Sequence, residues 1–334
     1  MWENIKATST QNHSDFTTLV NGRGYLYANK NNVTLTFAGT PITETEQDVP
    51  VSAGYNLVGN PFHAPATLNK SYYKMNSDGT GLVAEAVSGN TAIDAFTGVV
   101  VQANGEDETV LFTKSNAKGQ QETGFGTLQI ALTQTGTRGN ALLDNAIVSF
   151  NEGDQLGKFY FGTQDANIYI PQGNKDYAIV SAGNTGEMPI NFKAHENGEY
   201  TITVNPKNVE MGYLHLIDNL TGADVDLLQT PEYVFTAQTT DYESRFKLVF
   251  SASGDANGDN ETFAFIDASG NIIITDGPST GSGTCTLQVI DVMGRVIFSR
   301  DAARHVSTSG MAPGVYVLRL INGDDVRTQK IIID

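Results

Sequence analysis

The chain has 334 residues, of which 40% are hydrophobic, enough to bury full-sized cores in two or three domains and too apolar for a disordered polymer. Its 20 Lys+Arg against 37 Asp+Glu leave a net charge of −17, with no basic cluster to neutralise phosphates, which excludes nucleic acid as a partner. A single cysteine, Cys285, excludes an internal disulfide, and no window approaches the roughly eighteen apolar residues of a membrane-spanning helix.

Period-two alternation dominates the chain and no long run carries a 3.6-residue period, so the predicted fold class is all-β. In chain order, Val33, Leu35 and Phe37 alternate with Thr34 and Thr36. Tyr200, Ile202 and Val204 do so with Thr201 and Thr203, and Phe246, Leu248 and Phe250 follow with Arg245 and Lys247 outward. Each pattern predicts a strand with one face packed and the other wet. Asn-Gly pairs at Asn21-Gly22, Asn104-Gly105, Asn197-Gly198 and Asn322-Gly323 supply tight turns. Two polar, glycine-bearing breaks, Lys114 to Gly126 and Ser251 to Asn260, predict boundaries. The expected organisation is residues 1–115 and 116–252 as two β-sandwiches of jelly-roll or Ig-like type, then residues 253–334 as a smaller Ig-like sandwich.

The last fifty residues carry a pattern: D-x-x-G-R at Asp291, Gly294 and Arg295, then P-G-x-Y-x-x-x-L at Pro313, Gly314, Tyr316 and Leu320, then a terminal Gln329-Lys330-Ile331. This strongly resembles the type A C-terminal sorting domain of the type IX secretion system of Bacteroidetes. The resemblance implies that translocon components of the outer membrane dock on the domain, with Asp291, Gly294, Arg295, Pro313, Gly314, Tyr316 and Lys330 as the sorting signal. It also implies a sorting peptidase that removes the domain, and a secreted or outer-surface destination reached through the periplasm. Upstream, Gly22-x-Gly24-Tyr25 and Asn56-Leu57-x-Gly59-Asn60-Pro61-Phe62 resemble sandwich modules of large Bacteroidetes surface proteins. On that resemblance the chain is expected to be a C-terminal region entered partway through its first sandwich, with an export signal upstream, since Met1-Trp2-Glu3 opens no signal peptide.

Catalytic signals are weak. Gly277-Pro278-Ser279-Thr280-Gly281 matches the nucleophile-elbow pattern, but it lies between two strands rather than between a strand and a helix, and His305 and Asp301 have no scaffold that would bring them to Ser279. The histidines, at 13, 63, 195, 215 and 305, lack zinc-site spacing. Asp255, Asn257, Asp259 and Glu261 open like a calcium loop, but Asn260 stands where glycine belongs and Ile266 where the bidentate glutamate belongs, so a solvated linker is expected, with calcium as the alternative. No other cofactor is expected. Trp2, Tyr25, Tyr27, Tyr72 and Tyr73 are aromatic candidates for stacking on a glycan, against core packing as the ordinary use of such rings.

The expected function is therefore non-catalytic: an exported protein whose sandwiches serve adhesion or display toward a host or matrix surface. The alternatives are carbohydrate-binding accessory modules of a larger surface enzyme and a hydrolase with an unrecognised site.

Overall fold

The computed structural model describes residues 19–26, 30–34, 36, 38–76, 79, 81–87, 91–105, 108–115, 125–134, 142–160, 166–252, 263–267, 269–274, 285–301, 303–323 and 325–333. Among them the structure is all-β, and the chain divides into two compact units, Met1–Gly124 and Phe125–Asp334. The division falls inside the polar break at Lys114 to Gly126.

The first unit contains strands β1 (Glu46–Val51), β2 (Gly54–Gly59), β3 (Ala66–Leu68), β4 (Tyr72–Met75), β5 (Leu82–Glu85), β6 (Gly98–Ala103) and β7 (Glu108–Lys114). They form a three-stranded sheet β1-β7-β3 and a four-stranded sheet β2-β6-β4-β5, every pair antiparallel. Val49, Val110 and Phe112 from the first sheet share one core with Val58, Val99 and Val101 from the second, so the two sheets make a sandwich.

The two glycine-rich signatures meet there. The Gly24 amide donates to the Leu57 carbonyl at 2.9 Å and the Gly59 amide to that of Gly22 at 2.9 Å. A Cβ on Gly24 would lie 2.6 Å from the Leu57 side chain and 3.0 Å from backbone carbon, so only glycine permits this approach. Asn60 then locks the corner. Its buried Nδ2 donates to the carbonyls of Ala64 (2.9 Å), Ile93 (2.9 Å) and Asp94 (3.2 Å), while Oδ1 accepts from the Phe62 amide at 3.0 Å. Asn60→Ala is expected to destabilise this sandwich by about 2–3 kcal/mol, because it strands buried backbone groups, and urea unfolding of the chain measures it.

The expected strand at Val33 to Phe37 is not found. Val33, Thr34 and Thr36 belong to no strand, and Val33 is 49% exposed; Leu35 and Phe37 lie outside the described residues. Alternation is a local signal, whereas a strand exists through its pairing with a neighbour.

The second unit opens with β8 (Thr127–Gln134), β9 (Leu142–Ser149), β10 (Leu156–Gly157), β11 (Asn167–Gln172), β12 (Lys175–Ser181), β13 (Thr185–Lys193), β14 (Gly198–Lys207), β15 (Met211–Asp218), β16 (Ala223–Asp226), β17 (Glu232–Ala237) and β18 (Phe246–Ala252). These join in one continuous path, β16-β15-β18-β13-β11-β12-β9-β8-β14-β17, with β10 on β12. Strand β11 is the corner: Asn167 to Tyr169 pair with β13, Ile170 to Gln172 with β12. The two limbs fold face to face, because Leu128, Ile130 and Tyr200 from one pack in the same core as Leu216, Leu248 and Phe250 from the other. Tyr200, Ile202 and Val204 face inward as their alternation predicts. Phe192 sits edge-on to Tyr200 and Phe235 at 5.2 Å each, an arrangement that favours opposite ends of the ring quadrupoles.

Arg245 corrects the sequence reading. Instead of pointing outward it is 1% exposed, with Nε and Nη2 on the Asp218 carboxylate at 3.1 and 2.8 Å. It immediately precedes β18, so the pleat does not set its direction, and Asp218 at the end of β15 offers a buried counter-charge. Lys158 and Asp144 form a second buried pair, 2.6 Å apart; Lys158 also donates to the Ile168 carbonyl at 3.0 Å and ties β9 to β11.

The unit closes with β19 (Ala264–Ile266), β20 (Asn271–Ile274), β21 (Cys285–Asp291), β22 (Val296–Asp301), β23 (His305–Ser307), β24 (Gly314–Asn322) and β25 (Asp325–Ile333). Sheets β19-β20-β23 and β22-β21-β24-β25 pack as a small sandwich around Ile272, Ile274, Leu287, Val289, Leu318 and Leu320. Cys285 is buried in that core as a small apolar side chain.

Candidate functional site

Register brings the scattered motif residues to one end of the β22-β21-β24-β25 sheet. Asp291 lies opposite Tyr316, Tyr316 opposite Ile331, Val317 opposite Lys330, and Gly314 opposite Ile333. The end of β21, the start of β24 and the end of β25 are therefore neighbours.

Most of the motif builds this end rather than decorating it. Asp291 Oδ1 accepts from the amides of Met293 (2.9 Å) and Arg295 (3.0 Å), and Oδ2 from Arg295 Nε (2.8 Å), which closes the turn on itself. The Arg295 amide and guanidinium hold the Asp291 carboxyl below the usual carboxylate range. Gly294 takes φ +78° with nothing within 4 Å of a would-be Cβ. Conformation alone thus selects glycine there, and Gly294→Ala is expected to cost about 1 kcal/mol, seen as a lower melting temperature of the full chain. Tyr316 is buried and its hydroxyl donates to the Ala312 carbonyl at 2.7 Å, anchoring the Pro313-Gly314 bend. Gln329 sews the two sheets together: Oε1 accepts from the amides of Phe263 and Ala264 at 2.7 and 2.8 Å, and Nε2 donates to the Ala264 carbonyl at 2.5 Å.

What this scaffold presents to solvent is apolar. Val292 and Met293, at the tip of the Asp291 turn, are each 77% exposed. On the outer face of the sheet, Ile290 and Lys330 flank Val317, and Ile332 lies beside Val315. Val315, Val317 and Ile332 are exposed. With Arg295 and Lys330 beside them, these residues form an apolar patch edged by two cations. Sequence reasoning picked out the turn-forming residues and missed the patch; its signal is the alternation of Val315, Val317 and Arg319 against the inward Tyr316, Leu318 and Leu320, which makes both faces of β24 rich in aliphatics.

The aromatic candidates separate differently. Tyr72 and Tyr73 are 3% and 1% exposed, so both faces of β4 are covered and neither ring is offered to a glycan. Burial is also what pushes the Tyr72 hydroxyl well above its ordinary range. Tyr25 is half-buried, its hydroxyl accepting from the Val20 amide at 2.8 Å. Trp2 and Tyr27 lie outside the described residues, as do the calcium-like Asp255, Asn257, Asp259 and Glu261 and the Gly277 to Gly281 segment.

Residues 267–334 match the family model of the secretion system C-terminal sorting domain. This part of the chain is a type IX secretion sorting domain. The protein is accordingly one exported by type IX secretion, secreted or held at the cell surface, whose C-terminal domain engages that machinery. Neither the curated proteins nor the solved structures contain a match to the chain.

Proposed function

We propose that the apolar patch at the Asp291 end of the sorting sheet is the surface on which the export machinery docks, and that the upstream sandwiches are non-catalytic modules carried out for adhesion or display. The observation that carries the docking reading is the convergence of the Asp291–Arg295 turn, the start of β24 and the end of β25 beneath exposed Val292, Met293, Val315 and Ile332. An exposed aliphatic patch with a polar rim is the usual mark of a protein-binding surface. The chain passes through the periplasm, and a sorting peptidase cuts between the second sandwich and the sorting domain.

For the modules, two buried pairs of opposite charge, Lys158 with Asp144 and Arg245 with Asp218, are committed to each other and so act in architecture. The burial of Tyr72 and Tyr73 favours adhesion or display over glycan stacking. Replacing Met293 and Ile332 together by aspartate tests the docking reading. Export is expected to fall severalfold while the melting temperature stays near that of the parent chain. Undiminished export of this folded variant would refute the patch as the docking surface.

A further inference from the structure

We propose that the sorting domain is an intramolecular cap: it covers the outer face of the second sandwich through β20 and leaves that face bare when the two part. This inference is independent of which surface the export machinery reads.

Strand β20 has the sequence Asn271-Ile272-Ile273-Ile274, and all three isoleucines are buried. An antiparallel strand in a two-layer sandwich buries one face; a run buried on both must be covered on both. Ile272 and Ile274 belong to the sorting core, whereas Ile273 points the other way and forms a separate cluster with Tyr213 of β15 and Val249 of β18. Ile217 and Phe265 complete that cluster from either side. On the second sandwich the same face should be wet, since Leu214, Leu216, Leu248 and Phe250 already supply the core. Yet Tyr213, Val249 and Ser251 are 4%, 3% and 2% exposed.

The polar surroundings fit a lasting contact rather than chance proximity. Tyr213 and His215 stack at 4.2 Å, nearly parallel at 8°. His215 Nδ1 lies 2.7 Å from Asp224, and Lys247 pairs with Glu187 at 3.1 Å, so the charges next to the apolar centre are matched within the sandwich. From the sorting domain, His305 adds to the pull of His215 in holding the Asp224 carboxyl below its usual range. The uncovered face would offer a tyrosine-histidine stack and two aliphatics bordered by Asp224, Asp226, Glu187 and Lys247. Such a face suits an aliphatic β-sheet surface like the one it holds in the intact chain.

Hydroxyl-radical footprinting of the full chain tests the cap with internal standards. Tyr200, fully buried in the second core, and Tyr242, 46% exposed, set the two ends of the scale. In the parent chain Tyr213 is expected to react as slowly as Tyr200; reaction at the rate of Tyr242 would overturn the proposal. In Ile273→Asp, Tyr213 oxidation is expected to rise severalfold while Tyr200 and the sorting-core Tyr316 stay protected. Tyr213 still protected in that folded variant would mean that its own sandwich buries it, and would also overturn the cap. Should Tyr316 become reactive, the sorting domain has unfolded, and Ile217→Asp breaks the same contact from the other side with the same two decisive outcomes.

Discussion

Arg245→Met is expected to destabilise the second sandwich by about 3–5 kcal/mol, the cost of leaving a buried charge without its partner. Arg245 and Asp218 side chains are each 1% exposed. The guanidinium also donates to the Thr236 carbonyl at 3.0 Å and to Asp241 at 3.2 Å, and stands 4.7 and 5.1 Å from the rings of Phe235 and Phe246. Methionine keeps much of the volume and removes every one of those donors. The pH dependence gives the mechanism away. Burial pushes the Asp218 carboxyl up, but Arg245, the Leu220 amide and the Tyr233 hydroxyl outweigh it and hold the group below its ordinary value. A depressed folded pKa contributes stability that is present above the unfolded pKa and is lost as pH falls through the folded one. In Arg245→Met, burial acts with its main opponent gone and the folded pKa rises, so acidification recovers part of the loss instead of adding to it. Urea titrations at neutral and mildly acidic pH measure both slopes, and a loss that is the same at every pH would reject the ion-pair account. Pairing the change with Asp218→Leu is expected to restore most of the stability, as buried pairs replaced together usually do.

Deletion of residues 253–334 is expected to abolish export while leaving the upstream sandwiches folded and retained inside the cell envelope. The sorting function belongs to a folded object: Gln329 holds β25 to β19, and Ile331 and Ile333 are buried in its core. A shorter deletion, of residues 328–334, is therefore expected to be as severe as the whole, because it removes the Gln329 seam and two core residues together. Immunoblots of fractionated cells, with protease added to intact ones, distinguish retained from surface protein. Unchanged surface display after the larger deletion would refute the sorting role outright.

What the sequence made legible follows the range over which each feature is determined. The Asp291–Arg295 turn is built by hydrogen bonds spanning no more than four residues, so its residue types announce it. Tyr200, Ile202 and Val204 likewise declare a one-sided strand. Arg245 is opaque because its partner lies 27 residues away, and a charged residue beside a strand reads by default as solvated. Tyr72 and Tyr73 leave stacking and core packing open for a similar reason: neighbours on a strand point to opposite faces, and only the assembled fold reveals that both faces are covered. Ile273 is half legible. Three consecutive isoleucines say that the strand is covered twice, but not by Tyr213 and Val249.

The corner at β11 has a consequence for how the second unit comes into being. Strand β8 is its first strand, yet one edge of β8 is satisfied by β14, with Thr127 opposite Lys207, and the other limb closes on the core only once β18 exists. Pairings this distant in sequence make folding slow, on the order of milliseconds to seconds, because loop entropy is lost before the contacts that reward it form. During that interval β8 shows an open ladder edge with Leu128, Ile130 and Leu132 on one face, a template for wrong partners. The surplus of acids that leaves the chain at −17 then acts on kinetics, holding unfinished copies apart until the late strands arrive.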